Sequence, residues 1–426
     1  MTPFTNRLMD LPRYAVNGAS AIHPGFDRIQ MLLDGMGHPQ KEFSVALVAG
    51  TNGKGSTASI MAACLTSHGI RTGLHTSPHL LHVSERMRVD GKAPSNEWLE
   101  AQCERFEGLF VACQASFFEA TLALSLFWFA DQNVTHAVVE VGLGGRLDAT
   151  NVLEAEVSVI TGVALDHTDI LGDTIGKIAT EKAGIIKKGK PVILGPLSEE
   201  ARLAIEEVAQ RQQAPVFWAE KLVTITSMDR GLVRIVSGNR CLEDVSPELR
   251  GLHQWSNTAV ALSALSLWVP EISDPALRSG LEHVSALAGL RARTEIVRTS
   301  PLVMVDVGHN PDALVSALAS FGSIANPSKA CIVLGLLSDK DAIEVGRLIA
   351  KTGLQVFTVP VHGERGRTET ALLDVMKTAG VSQVRSFSSV PKALVSALEL
   401  NLDCLVIGSH FVAAEALTFF ATSATQ

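Results

Sequence analysis

The apolar positions of this chain come as short unbroken runs, separated by longer stretches in which they recur every three or four residues. Short runs closed by glycine or turn residues read as buried parallel strands, and the longer spacing as helices that cover them. Residues 45–49 (VALVA) form the first run, and helical spacing follows over 56–67. Further strands are predicted at 134–141, 157–163 and 191–194, with helices at 119–130, 174–186 and 198–213. Residues 222–241 change character. Alternating runs broken by Asp229-Arg230-Gly231 and Ser237-Gly238-Asn239 predict antiparallel hairpins. Helical pattern returns at 257–268 and again before Ala288. A second alternating series opens near Glu295, with strands expected at 302–307, 330–334, 355–359, 384–387 and 403–407. This order predicts an α/β protein: an N-terminal phosphate-loop domain over 1–288, then a smaller C-terminal α/β domain with a mostly parallel sheet over 289–426. The boundary is expected at 287–291, around Gly289.

Composition narrows the function. Of 426 residues, 46% are apolar, enough for more than one core. The net charge of −8 is spread along the chain, with no basic run built to neutralise nucleic acid, so small-molecule substrates are expected. The longest apolar helix candidate covers 120–130, well short of the roughly 20 residues of a membrane span. The N-terminus shows no apolar core of signal-peptide length. Six cysteines form no Cys-x-x-Cys pair, which suggests neither a zinc site nor a disulfide framework. A monomer in a reducing cytoplasm is the simplest expectation.

The chemistry begins at residues 50–57, GTNGKGST, between the first strand and its helix. Such a loop aims backbone N–H groups at phosphates, aided by the N-terminus of the following helix. Glycines let the ligand approach, Lys54 supplies a mobile positive charge, and Ser56 or Thr57 can reach a metal or a phosphate oxygen. The pattern departs from the usual phosphate loop at Val48, where glycine is customary, and at Gly55, where Ser or Thr is customary. ATP is the expected nucleotide, held by Thr51, Asn52, Gly53, Lys54, Gly55 and Ser56.

These residues also resemble a family. AGTNGKGST (49–57), TSPHLLHVSERMR (76–88), EVGLGGRLDATN (140–151), ALDHTD (164–169), EKAG (181–184), DVGHNP (306–311) and GLLSDKD (335–341) occur in the order found in folylpolyglutamate and dihydrofolate synthases of the Mur ligase superfamily. The resemblance runs from about Val45 to about Ser409. It implies an ATP-dependent ligase in which a carboxylate, of dihydropteroate or of a folate, is converted to an acyl phosphate. The amine of L-glutamate then attacks, releasing ADP and phosphate. Phosphate turns a poor electrophile into one with a leaving group, and the charge that develops calls for lysine, Mg²⁺ and backbone donors.

The resemblance also assigns roles. Ser77, Glu140 and His167 match metal-binding positions, and Lys182 matches a lysine carried as a carbamate, an anion able to hold a second Mg²⁺. Lys54, His167 and Lys182 are the implied catalytic residues. Asn257, Arg293 and Asp306 match ATP-contacting positions, with Arg291 competing for the role of Arg293. Ser116, Phe117, Phe118 and Glu119 match a pteroate-contacting segment, as do Leu147, Asp148 and Ala149. His309 and Ser409 match glutamate-site positions, and residues 20–29 (SAIHPGFDRI) correspond loosely to a substrate loop. Each residue has a plainer account. Ser77 can cap a turn, His167 can be a loop histidine, Phe117 and Phe118 can be core, and Asn310-Pro311 can start a helix. Two other classes compete with a folate ligase: a Mur-type ligase acting on a cell-wall precursor, and a nucleotide-binding relative without catalysis.

Overall fold

The computed structural model describes residues 3–12, 25–363 and 365–423. They divide into two units. One takes the described residues up to Glu248 together with His253–Leu290, and the other takes Leu249–Leu252 with the described residues from Arg291 onward.

The first unit is built on seven strands: β1 (Ser44–Ala49), β2 (Thr72–His75), β3 (Met87–Val89), β4 (His136–Glu140), β5 (Ala155–Ile160), β6 (Val192–Leu194) and β7 (Val216–Trp218). Their order is β3-β2-β4-β1-β5-β6-β7, parallel throughout except for β3 at the edge. Strand β1 is central, and Val45 through Ala49 are buried on both faces. That is why its sequence is an unbroken apolar run rather than an alternating one. Helix α1 (Lys54–Ser67) follows and is buried from Gly55 to Leu65. Its small residues explain the all-round burial. Gly280, on the helix Asp274–Glu282, comes so close that a Cβ there would lie 2.6 Å from Cys64 Cα. Helix α2 (Phe117–Asp131) opens with a reciprocal cap between Ser116 and Glu119. Helix α3 (Ile175–Ala183) starts on the hydroxyl of Thr174, and helix α4 (Leu252–Trp268) buries Gln254, Asn257 and Val260 to Leu265. Strands β8 (Val223–Ser227), β9 (Val233–Ser237) and β10 (Arg240–Val245) form the expected antiparallel hairpins as a separate small sheet.

The second unit has six strands, β11 (Glu295–Thr299), β12 (Leu302–Val305), β13 (Ala330–Leu334), β14 (Gln355–Thr358), β15 (Val384–Ser386) and β16 (Asp403–Ile407), in the order β11-β12-β16-β13-β14-β15. Only β11 runs antiparallel to its neighbour. Leu314, Phe321, Val345, Ile349, Leu372 and Met376 from three helices cover one face, packing on Ile332, Leu334 and Ile407. The helices Val390–Glu399 and His410–Ser423 pack on β13 and β16 from residues outside that cluster. Strand β16 thus inserts between β12 and β13, and the helix after it lies outside the cluster joined by the helices after those two strands. Open α/β sheets bind ligands at such a switch, beyond the carboxyl ends of the strands.

Several elements end sooner than their apolar runs. Strand β5 stops at Ile160 because the Thr161 hydroxyl turns to bond the phosphate loop at Asn52 O, 2.6 Å away. Strand β12 stops at Val305 because Asp306 bonds the turn that follows. Helix α3 stops at Ala183, and Gly184 passes against Arg146 with no room for a Cβ.

Candidate active site

The phosphate loop is stapled to the end of β5. Thr51 N–H donates to Gly162 O at 2.9 Å, and the Thr51 hydroxyl donates to Ala164 O and accepts from Ala164 N–H at 3.1 and 3.0 Å. Thr161 Oγ1 donates to Asn52 O. Gly53, with φ of 85°, is the residue before α1, and a Cβ there would sit 2.2 Å from Asn257 Oδ1. Glycine is therefore required twice over, by backbone conformation and by the approach of Asn257. Asn257 is buried and donates to the buried Gln254 at 2.9 Å. The first turn of α1 carries Gly55 and Ser56, and the fully buried Thr57 hydroxyl has no hydrogen-bond partner.

Two lysines 128 positions apart converge on this loop. Lys54 Nζ donates to Gly50 O and Thr51 O at 3.1 and 3.2 Å, and Lys182 Nζ donates to Gly50 O at 3.1 Å. Lys182 lies in α3 and is 3% exposed. Burial, followed by the charge of Lys54, pushes its ammonium down to about 7 against a partial opposing pull from Asp166. Two cations on one carbonyl repel each other, an arrangement suited to a bound anion. Beside it, Glu181 is held by Arg146 at 2.7 and 2.9 Å.

Glu140 closes β4 and is 4% exposed. The Ser77 N–H donates to its Oε2 at 2.9 Å, so these two expected metal positions meet. His167 sits in the left-handed region, with φ of 49°, at the start of a short helical turn, Thr168–Leu171. Its N–H donates to Asp166 Oδ1 at 3.0 Å, and its Nε2 stands 3.9 Å from the same oxygen. Among the described residues, no three His, Cys, Asp or Glu side chains gather as a metal cluster. Mg²⁺ is ordinarily held by one or two carboxylates with phosphate and water, and a single buried carboxylate at the strand end fits that use.

The expected substrate segment lies at the start of α2. Ser116 N–H and Oγ both donate to Glu119 Oε2, at 2.8 and 2.7 Å, and Arg28 Nε reaches both Glu119 oxygens at 3.2 Å. Arg28 belongs to the loosely matching segment 20–29, of which residues 20–24 lie outside the described residues. Phe117 is buried beneath Arg86 and beside His79. Phe118 is half-buried and meets the His75 ring edge-on at 5.9 Å. Burial, aided by the charge of Arg86, pushes His75 down to about 3, so its ring is neutral. Asp148 is buried and accepts from Leu143 N–H, Thr150 N–H and the Thr150 hydroxyl at 2.8, 3.0 and 2.6 Å. Burial raises its carboxyl pKa and these bonds oppose the rise. Leu147 beside it is exposed, and Ala149 is buried.

In the second unit, the buried Asp306 accepts from Thr294 N–H and Gly308 N–H at 2.8 and 2.7 Å. Arg293 Nη1 donates to Ala292 O at 3.2 Å, and Arg291 is ion-paired to Glu295 at 2.7 Å. His309 Nδ1 donates to Val307 O at 3.1 Å, and its ring lies 6.0 Å from that of His410. Asn310 caps the helix Pro311–Gly322, and Ser409 Oγ accepts from Val412 N–H at 3.2 Å. Sequence reasoning left out His75, His410 and the pair Asp339–Arg365, 2.7 Å apart beside the buried Lys340. The last group includes two residues of the quoted GLLSDKD motif, which was a usable signal.

Comparison with known proteins agrees with this geometry. Residues 48–265 match the Mur ligase middle domain, and residues 292–409 match the Mur ligase glutamate ligase domain. The chain is 34% identical to a Bacillus subtilis dihydrofolate synthase/folylpolyglutamate synthase over 92% of its length and 93% of that protein's. It is 33% identical to a probable bifunctional folylpolyglutamate synthase/dihydropteroate synthase of Haloferax volcanii over 97% of its length, but spans only 50% of that longer protein. The solved structure of Escherichia coli FolC in complex with DHPP and ADP superposes with a TM-score of 0.86 at 30% identity, covering 99% of both chains. A Yersinia pestis bifunctional folylpolyglutamate synthase/dihydrofolate synthase, complexed with AMPPNP and a Mn ion, gives 0.84 at 28% identity over 98% of each.

Proposed function

Because the chain belongs to the Mur ligase family, in the branch of the dihydrofolate and folylpolyglutamate synthases, we propose that it joins L-glutamate to dihydropteroate, to folates that already carry glutamate, or to both. It is an ATP-dependent amide-forming ligase that uses a divalent metal. The observation that carries the reading is the convergence of Lys54 and Lys182 on Gly50 O, in a loop built for phosphates. The carboxylate of the substrate attacks the terminal phosphate of ATP and releases ADP; the glutamate amine then attacks the acyl carbon, so that the C–N bond forms, the C–O bond to phosphate breaks, and inorganic phosphate leaves with the amine proton going to solvent. Lys54 follows the charge on the transferred phosphoryl group, the loop N–H groups of Asn52 to Ser56 hold the remaining phosphates, and Thr51 anchors the loop that presents them. Asn257, packed against Gly53, fixes the nucleotide from the α4 side. Arg293 and Asp306 are assigned to ATP, and His309 and Ser409 to glutamate.

Glu140, Ser77 and His167 would hold Mg²⁺. Bound there, the metal would neutralise the charge that develops on the phosphates. As an ammonium, Lys182 cannot ligate a cation. Its depressed pKa leaves a share of neutral amine near neutrality, and addition of CO₂ to that amine, with loss of one proton to solvent, would give an anionic carbamate able to ligate. The face of Phe118 offers a platform for a flat pterin, with Asp148, Leu147 and Ala149 around it. Ser116 and Glu119 set that helix start, and Phe117 packs beneath. The reading includes a cytoplasmic monomer working on small molecules. No helix among the described residues is long and apolar enough to cross a membrane.

A side-by-side assay with dihydropteroate and tetrahydrofolate tests this. ADP release should require L-glutamate together with at least one of the two. Release that needs a muramyl substrate instead, or no release with any acceptor, would overturn the proposal.

A further inference from the structure

His75 ends β2, two residues before Ser77, and is fully buried. Its Nδ1 lies 2.8 Å from Ser125 Oγ, and that hydroxyl spends its one proton on Thr121 O, 2.7 Å away in α2. Ser125 can therefore only accept from the imidazole, which fixes the proton on Nδ1. Nε2 of the neutral ring is then a bare acceptor, and it is buried without a hydrogen-bond partner. An unpaired buried acceptor costs stability, and a folded protein that keeps one generally has a use for it. The surroundings indicate the use. Phe118 meets the His75 ring edge-on, and Gly142, where a Cβ would stand 2.6 Å from Phe118 Cζ, leaves that ring its space. Ser125, His75, Phe118 and Gly142 thus form one packed line from α2 to the turn after β4, and Phe118, the proposed heterocycle platform, covers His75 within it.

We propose that His75 is a specificity-determining residue for the carboxylate substrate, its Nε2 accepting a hydrogen bond from a ring N–H or amino group of the substrate's heterocycle once Phe118 shifts to admit it. The inference rests on the functional reading above, and it adds a directional preference for N–H-bearing heterocycles that stacking alone does not provide.

The test uses the whole protein with dihydropteroate as probe. Nitrogen NMR of the imidazoles, with the His75 signals assigned by their loss in His75→Gln, should show Nδ1 protonated and Nε2 bare. Dihydropteroate should move the Nε2 resonance toward a hydrogen-bonded position. His75→Phe keeps a flat ring and removes the acceptor. Its dihydropteroate Kd should weaken about five- to tenfold, with the Kd for ATP unchanged and Tm equal to or above that of the parent. Should His75→Phe fail to fold, Ser125→Ala decides. It releases the tautomer lock and should weaken dihydropteroate binding about two- to threefold. A parent protein that binds dihydropteroate with the Nε2 signal unmoved, or an unchanged Kd in the variants, overturns this inference. A parent that neither binds nor ligates dihydropteroate or tetrahydrofolate overturns the functional reading instead.

Discussion

The loop after β1 and the loop after β12 both lie at the carboxyl ends of parallel strands, yet they spend their polar groups differently. After β12, Asp306 bonds two backbone N–H groups, Asn310 caps a helix and His309 bonds Val307 O. After β16, Ser409 accepts from Val412 N–H. After β1, two ammonium groups share the carbonyl of Gly50, and one of them is buried at the expense of its own charge. The second-unit motif builds its own scaffold, whereas the first-unit loop holds charges that its scaffold does not satisfy. A motif therefore identifies function most directly where its side chains have more bonding capacity than the fold consumes.

The sharpest way to break this comparison is Lys54→Ala. Its ammonium bonds only backbone carbonyls that face the loop, so the fold should survive. Turnover should fall by at least 10²- to 10³-fold, the effect of losing one donor aimed at transition-state charge. Near-normal turnover in a folded variant would remove the loop from the mechanism. Lys182→Met should also abolish ligation, and it should stabilise the protein. The unfolded chain keeps the Lys182 proton up to the ordinary lysine value of 10.5, and the folded chain loses it at about 7. Between those values the unfolded state binds more protons, so parent stability rises with pH across the window and the charge penalty is full below it. In bicarbonate-free buffer, the Tm gain of the variant should be largest near pH 6 and shrink toward pH 10. A gain that is constant with pH would mean that Lys182 is not held against its charge.

Glu140→Gln and His167→Ala sharpen the metal side. Each should raise the half-saturating Mg²⁺ concentration about tenfold or more. Unchanged values in both would sink the assignment. A smaller effect is expected in the second unit, where Ser409→Ala removes a helix cap worth about 1 kcal/mol. Its denaturation midpoint should drop, and KM for glutamate should rise a few-fold with KM for ATP unchanged. A stability loss with glutamate KM unmoved would make Ser409 scaffold only.

Much of this was legible along the chain. Strands β13 and β16 begin and end where their apolar runs do, because both are buried on two faces. Strands β2, β3, β7 and β11 were not foreseen. They have three to five residues, too few for a period to show, and β2 carries Gly73 where the Phe129 ring packs. The helix Asn96–Ala112 was missed as well, its apolar face diluted by Glu97, Glu100 and Glu104. Lys182 was visible as a motif residue, but its burial and its meeting with Lys54 depend on tertiary packing across 128 positions. His75 left no trace in the sequence, since its meaning lies in one hydroxyl of α2 and in the bond that the hydroxyl makes elsewhere.

The smallest expected effect tests the comparison from the other side. Arg291 and Arg293 compete for the nucleotide on sequence grounds, and the role is proposed for Arg293. Arg291 places Nε and Nη2 on Glu295 Oε1, at 2.8 and 2.7 Å, and Glu295 also accepts from Ala292 N–H at 2.7 Å. Its guanidinium is thus engaged in an ion pair on the open side of the chain, where solvent screens the attraction and the net value is about 0–1 kcal/mol. Ala292 and Thr294 both adopt positive φ, 54° and 49°, so the backbone on either side of Arg293 is set by these turns rather than by the Arg291 pair. Arg291→Ala should therefore change stability by less than about 1 kcal/mol and leave KM for ATP as it was. Arg293→Ala should raise KM for ATP several-fold. The two variants need only one ATP titration and one melting curve each. A rise in KM confined to Arg291→Ala would reverse the assignment.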